Sequence, residues 1–421
     1  MDLHSRIALA AAAVVAVACG ATPTPPSSAD SWVGTTTTEG NATTTVTESG
    51  SVWGGNATLV EEASIGVESG ATPYMLGRVW GIAADDERIY VLDSQAPSLR
   101  VYDLDGTHVG DIGAEGEGPG EYLQPDGLAL GPDGRIYVRV FRRQRINVYD
   151  NDGAYVAALQ DRANFMHQRG DFRALADGTV YARARDSFVG FSPEGAVIEP
   201  IPYPVYERQP LTAQSVGDPT PSTLLVPFSP WSYTTLSPAG AIVSGFSDAY
   251  RFTIAFRDGR TTIVERRVAP VPVQAEERAW HETRFRQDLM DAGGIAGEIP
   301  SIPENKPSFA RLITTHDGRV WVVRPGPGRR IDDCPSSRSP GPTTAPTSCW
   351  QDSRLVDVFE IETGRYLGEV ALPEGLATNP GPHIDGDRVV ALFQDDAGTI
   401  MVKRYRLVLP GEGEGSIGPK D

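Results

Sequence analysis

The sequence offers none of the short signatures that announce a chemistry. Among its 421 residues there is no GxSxG elbow, no Walker loop to cradle phosphates, no HExxH and no paired-cysteine zinc spacing. No apolar run reaches the length of a membrane-spanning helix. Basic residues are few: 37 Lys and Arg against 55 Asp and Glu leave a formal charge of -18. Such a field repels phosphate backbones and anionic headgroups, which excludes nucleic acid as a partner. Histidine is limited to six residues and cysteine to three. Glycine (45) and proline (34) are plentiful instead, which disfavours a long helical bundle and describes a folded chain rich in turns.

Arg6 precedes an unbroken apolar stretch from Ile7 to Ala18 that ends at Cys19. It is short for a bilayer and is expected to be the core of a signal peptide covering residues 1–18. The run Ala16-Val17-Ala18-Cys19-Gly20 resembles a bacterial lipobox. That implies acylation of the Cys19 thiol and an exported body anchored to a membrane by lipid alone, facing the periplasm or the cell exterior. An ordinary signal peptide cut nearby is the alternative. Residues 19–56 are a Thr, Ser, Gly and Pro mixture with little to bury, expected to be a flexible tether. The sequons at Asn41 and Asn56 carry no weight in a bacterial chain. Past the signal only Cys334 and Cys349 remain, and an oxidising compartment would let them close one loop as a disulfide. Two cysteines alone do not make a metal site.

Near Trp80 a pattern begins that is then repeated. GIAADDERIYVLDSQAPSLRVYDLDGTHVGDIG is followed by GLALGPDGRIYVRVFRRQRINVYDNDGAYVAAL. Gly81 aligns with Gly127, Tyr90 with Tyr137, Tyr102 with Tyr149 and Gly106 with Gly153, at offsets of 46, 47, 47 and 47 residues. A fixed period of this size signals a solenoid, propeller or array. Each copy reads as four short strands joined by tight Gly/Asp turns, with no helix. Such a sheet can bury its faces only against copies of itself, which is a propeller blade. Weaker copies cover 172–201, 233–265, 309–324 resuming at LVDVFEIETGRYLGEVAL, and 383–409. The expected fold is therefore all-β, a propeller of six four-stranded antiparallel blades over residues 57–410, with seven blades the alternative and residues 411–421 a disordered tail. Residues 57–69 are expected to supply an extra strand that completes the last sheet and removes an exposed edge.

Two insertions break the pattern. Residues 274–292 lack strand alternation, place Phe285 and Leu289 at i,i+4 and stop at Gly293-Gly294, which predicts one surface helix. Residues 325–352 are a Pro/Ser-rich stretch, expected to be a loop stapled by the two cysteines.

The segment GEGPGEY at 116–122, between the first two copies, together with VLD, VYD and the period near 47, resembles the NHL-like six-bladed propeller proteins exported by many bacteria. In this chain the segment itself reads as a structural connector. Its glycines reach φ values barred to other residues, and Pro119 fixes one turn. Related propellers include lyases and lactone or ester hydrolases that hold a divalent metal over the central channel. The multi-histidine pattern this implies is not visible here. His4 leaves with the signal, His108 and His316 lie at DG turns, His167 in a connector and His281 on the helix, and only His383 sits near the start of an inner strand. The recurring DG pairs (Asp105-Gly106, Asp133-Gly134, Asp177-Gly178, Asp258-Gly259, Asp317-Gly318) read as hairpin turns, with a calcium array the alternative.

Aligning the blade starts places Trp80, Asp126, Arg173, Tyr233, Arg311 and His383 at the ends of inner strands, where propellers present groups to the channel. Aromatic rings, two guanidinium groups and one carboxylate suit an anionic or sugar-like ligand. The expectation is a monomeric, membrane-tethered, noncatalytic propeller that binds a small molecule, a glycan or an envelope protein, with no catalytic residue and no cofactor. The alternative is a lyase or a lactone or ester hydrolase dependent on a calcium-like ion.

Overall fold

The computed structural model describes residues 31–140, 144–160, 171–184, 186–204, 206–216, 221–332 and 348–412. The signal sequence, Cys19, Cys334 and the last residues of the tail lie outside them, and so does the expected bond from Cys334 to Cys349.

The protein is built from six antiparallel blades. The first contains Val79–Ala84, Arg88–Asp93, Ser98–Asp103 and His108–Ile112, and the second Pro125–Leu130, Ile136–Val140, Arg145–Tyr149 and Tyr155–Gln160. The third runs from Phe172–Ala174 to Val197–Pro202, the fourth from Ser232–Leu236 to Thr261–Arg266 and the fifth from Arg311–Thr314 to Tyr366–Ala371. The sixth takes Arg388–Gln394 and Ile400–Val408 from the end of the chain and its outermost strand, Asn56–Ile65, from the beginning. That strand pairs antiparallel with Ile400–Val408, which closes the ring as the sequence predicts.

Alternation explains why blades stack into a ring. In Arg88–Asp93 the residues Ile89 to Leu92 are all buried, but Ile89 and Val91 point toward the sixth blade while Tyr90 and Leu92 point toward the second. A strand buried on both faces reads as a continuous apolar run. Each junction between neighbouring blades holds its own apolar cluster, and the cluster between blades six and one shuts the circle. All five DG glycines adopt left-handed φ, from 77° to 90°. Asp133, Asp177 and Asp258 each accept the N–H two residues on. These carboxylates serve the turns.

The GEGPGEY connector is held from the third strand of the second blade. Arg145 donates to the Gly118 and Glu121 carbonyls, Asn147 to Glu121 and the Tyr149 hydroxyl to Gly120. Residues 145, 147 and 149 share one side of a strand, so a single face gathers the turn. The first blade repeats the device: Arg100 and Tyr102 donate to carbonyls of Pro73 and Met75.

Three expectations need correction. The tether is shorter than residues 19–56, because Val33–Glu39 and Ala42–Ser49 form a hairpin whose second strand runs parallel to Thr261–Arg266 at the outer edge of the fourth blade. The hairpin is polar, yet it buries Thr45 and Thr47, and the Thr45 hydroxyl reaches the Thr363 carbonyl at 2.6 Å. Residues 325–352 are not simply a loop. The strands Arg319–Asp332 and Ser348–Glu360 continue outward through them as a long ribbon, with an irregularity at Pro325 to Gly328 that absorbs the prolines. Finally, His383 begins only the second piece of its inner strand. That strand is split into Leu376–Ala377 and His383–Asp385, both paired with Arg388–Gln394, so His383 lies toward the turn end.

The predicted helix is present as α1 (Ala275–Asp291), with Phe285 and Leu289 buried and Gly293 and Gly294 at its end. It packs with a small sheet of Thr212–Ser215, Thr223–Leu225 and Ile295–Ala296 that the sequence pattern did not reveal. Among the described residues no helix is long and apolar enough to cross a membrane.

Candidate functional site

The six inner strands surround a central cavity of about 980 Å³. All six residues expected at the channel line it: Trp80, Asp126, Arg173, Tyr233, Arg311 and His383. They do not form one ring. Trp80, Asp126, Tyr233 and Arg311 lie three or four residues before the last residue of their strands, at the entering end of each blade. Arg173 and His383 stand nearer the turns that lead to the second strands, Arg173 opposite Tyr181 and His383 opposite Val390. The lining groups therefore occupy at least two levels along the channel, since each residue advances a strand by about 3.3 Å.

Their charges are not equally available. Asp126 makes a bidentate pair with Arg139 of its own blade, at 2.8 and 3.2 Å, with both side chains almost wholly buried. The register puts Gly127 opposite Arg139, so the hairpin itself delivers the guanidinium to its neighbour Asp126. Its carboxylate is thus committed to structure. Arg173 and Arg311, by contrast, make no side-chain hydrogen bond or ion pair among the described residues. Burial pushes the Arg311 guanidinium down from its usual range; Asp171 opposes that shift and Arg173 adds to it. The two cations line the same cavity. Burial likewise raises the Tyr233 hydroxyl, with Arg311 pulling the other way.

Residues that the sequence reading did not select also line the cavity: Asp171, Arg183, Trp231, His316 and Asp385. Arg183 is occupied, donating to the Thr234 carbonyl at 2.8 Å and lying over the Tyr203 ring. Asp171 accepts the Leu236 N–H at 3.3 Å. His316 and His383 are stacked with ring centroids 4.6 Å apart. Burial drives the His383 imidazole well below its ordinary range; the His316 ring, which stays open to solvent, is also lowered, and Arg173 adds to the effect in each. The signal for His316 was its place in a THDG turn at the end of the fifth inner strand. Among the described residues no group of three or more His, Cys, Asp or Glu is arranged to hold a metal ion.

A closed ring of six four-stranded blades around an open cavity defines a six-bladed β-propeller. Residues 73–168 match a family described as a 6-bladed beta-propeller, DUF5128. No curated protein matches the sequence. Among solved structures the chain is similar to a member of the DUF4221 family from Bacteroides vulgatus, at 10% identity over 84% of this chain and 99% of that chain, with a TM-score of 0.51. It is also similar to virginiamycin B lyase from Staphylococcus aureus, at 10% identity over 82% of this chain and 98% of that chain, with a TM-score of 0.41. At such identity the likeness to the DUF4221 member shows the fold alone.

Proposed function

We propose that this propeller is a noncatalytic binding module that takes an anionic small molecule or an acidic glycan into its channel. The observation that carries the reading is the pair Arg173 and Arg311, cavity-lining cations with no side-chain hydrogen bond or ion pair among the described residues, Asp171 acting on Arg311 only through its charge. Other buried arginines are committed: Arg139 to Asp126, and both Arg266 and Arg324 to Asp357. A guanidinium is a planar fork suited to a carboxylate, sulfate or phosphate, and a partly desolvated one binds such a group more strongly than a surface cation does. Trp80, Trp231 and Tyr233 give an apolar wall against which a sugar or ring could lie.

Titration calorimetry with sulfate, succinate and galacturonate beside neutral galactose tests this. Binding of at least one anion, lost in the R173A/R311A double variant, is expected. Binding of galactose alone, or of no probe, would overturn the reading.

The apolar run before Cys19 supports an exported, lipid-anchored body, and the period near 47 with GEGPGEY supports a place among NHL-like exported propellers. Metabolic labelling with a fatty acid, absent from C19S, is the expected result; an unlabelled chain would sink the anchor.

A further inference from the structure

The anion reading leaves two imidazoles in the channel unused. His316 follows the fifth inner strand, and its N–H donates to the Ile384 carbonyl at 2.9 Å, which fixes it across the junction with the sixth blade. Its ring stacks on that of His383, tilted by 36°, and His383 is only 7% exposed. Charged and titratable groups face His316 from three blades. Arg173 approaches from the third, His383 and Asp385 from the sixth, and Asp317 from its own turn. Asp317 is already paired with Arg319 at 3.1 Å, and Arg388 bears on His383 from behind. His316 itself stays open to solvent in the cavity; partial desolvation and Arg173 disfavour its charged form, while Asp385 and Asp317 act in the opposite sense.

We propose that the channel takes up a proton on His316 when it binds an anion at Arg173, so that binding tightens as the pH falls. This rests on the anion-binding reading. An anion seated on Arg173 offsets the positive charge that opposes an imidazolium at His316 and brings a negative charge into the cavity both residues line. Both changes favour the protonated ring, with Asp385 left to balance it. The reaction is protein plus anion plus one proton from solvent, giving a complex in which a ring nitrogen of His316 carries the proton; no bond of the ligand breaks. Linkage then works in both directions: the anion raises the affinity for the proton, and the proton raises the affinity for the anion by the same factor. His383, stacked behind and more deeply buried, stays neutral and serves as the platform.

The test uses sulfate, which does not itself titrate in this range. Calorimetry from about pH 5.5 to 8, in two buffers of different ionisation enthalpy, reads both the affinity and the protons taken up. Affinity should rise up to about tenfold per pH unit on acidification through the window below the ordinary histidine range, with uptake approaching one proton per sulfate. In H316Q sulfate should still bind, with its affinity nearly independent of pH and no uptake. NMR of the His316 ring in the unaltered protein gives the same information without a substitution: adding sulfate should move it toward the protonated form. Sulfate binding without proton uptake, or uptake that persists in H316Q, would overturn the inference and leave the anion site standing. Absence of sulfate binding at every pH would remove sulfate binding and the proton coupling together.

Discussion

The Lys306 ammonium lies wholly buried 2.7 Å from Oε1 of Glu277, itself inaccessible to solvent. Asp352 accepts from the same nitrogen at 2.5 Å and the Gly326 carbonyl at 3.2 Å. Three separate segments meet there: the first turn of α1, the stretch after the inserted sheet, and the two strands of the long ribbon in the fifth blade. The cluster fastens the insertion to the propeller.

Removing the cation should therefore loosen that attachment. In K306M the Glu277 carboxylate keeps its burial and loses its main counter-charge, a situation that costs about 3–5 kcal/mol. Urea unfolding measures the loss, and hydrogen exchange should show α1 opening first. A change under about 1 kcal/mol would mean that water reaches Glu277 after all.

Two N-terminal truncations separate closure from decoration. A chain starting at residue 51 loses the polar hairpin but keeps the strand Asn56–Ile65, and should unfold cooperatively at a somewhat lower temperature. A chain starting at residue 67 lacks the outer strand of the sixth blade and with it Ala57 and Ile65, both buried against neighbouring blades. It should show no cooperative transition in calorimetry, because the open sheet exposes an unpaired edge and part of two interblade cores. Equal melting of the two truncated chains would contradict this.

Asp126 and Arg173 line the same cavity and should behave in opposite ways. D126A strands the Arg139 guanidinium, 3% exposed, without its carboxylate, and should destabilise the fold by about 3–5 kcal/mol. R173A removes a side chain without a bonded partner, so stability should stay within about 1 kcal/mol while sulfate binding weakens or vanishes. Denaturation midpoints and calorimetry on both variants decide the matter. Loss of binding in a well-folded D126A would make the carboxylate part of the site.

Imidazoles held in their neutral form should also make the fold sensitive to acid. Burial holds His281 and, more strongly, His383 below their ordinary range. The unfolded chain protonates these rings below about pH 6.5 while the folded one resists, so the unfolded state binds more protons and stability falls with pH. Each group contributes at most about 1.4 kcal/mol per pH unit, from about pH 6.5 downward until its folded form titrates. Unfolding free energies at pH 7 and pH 5.5 should differ by more in the wild type than in H383Q. Parallel pH profiles for the two proteins would show that His383 titrates normally.

Much of the blade was legible along the chain because its determinants are local. The DG turns and the paired apolar positions lie within one hairpin of each other, and the offset of 47 residues repeats them from one blade to the next. The helix at Ala275–Asp291 was legible for the same reason, its buried Phe285 and Leu289 being one turn apart. The channel residues were found because strand starts could be aligned, although the split of the sixth inner strand shifted His383 by several positions. Thr45 and Thr47 were read as tether since nothing nearby in sequence could bury them; the partner of Thr45 is 318 residues away.

The sequence by itself determined the repeating unit, because strand period, turn residues and buried alternation are properties of neighbours in the chain. It also determined that the unit could not stand alone, since inner strands buried on both faces need other sheets beside them. Only the tertiary structure decided which charges are spent and which are free. Asp126 and Arg139 find each other through a hairpin register, whereas Arg173, Arg311, His316 and Asp385 come together from the third, fifth and sixth blades. A side chain's charge is fixed by its identity, but its availability depends on what packs against it, and in a ring that is settled only when the circle closes.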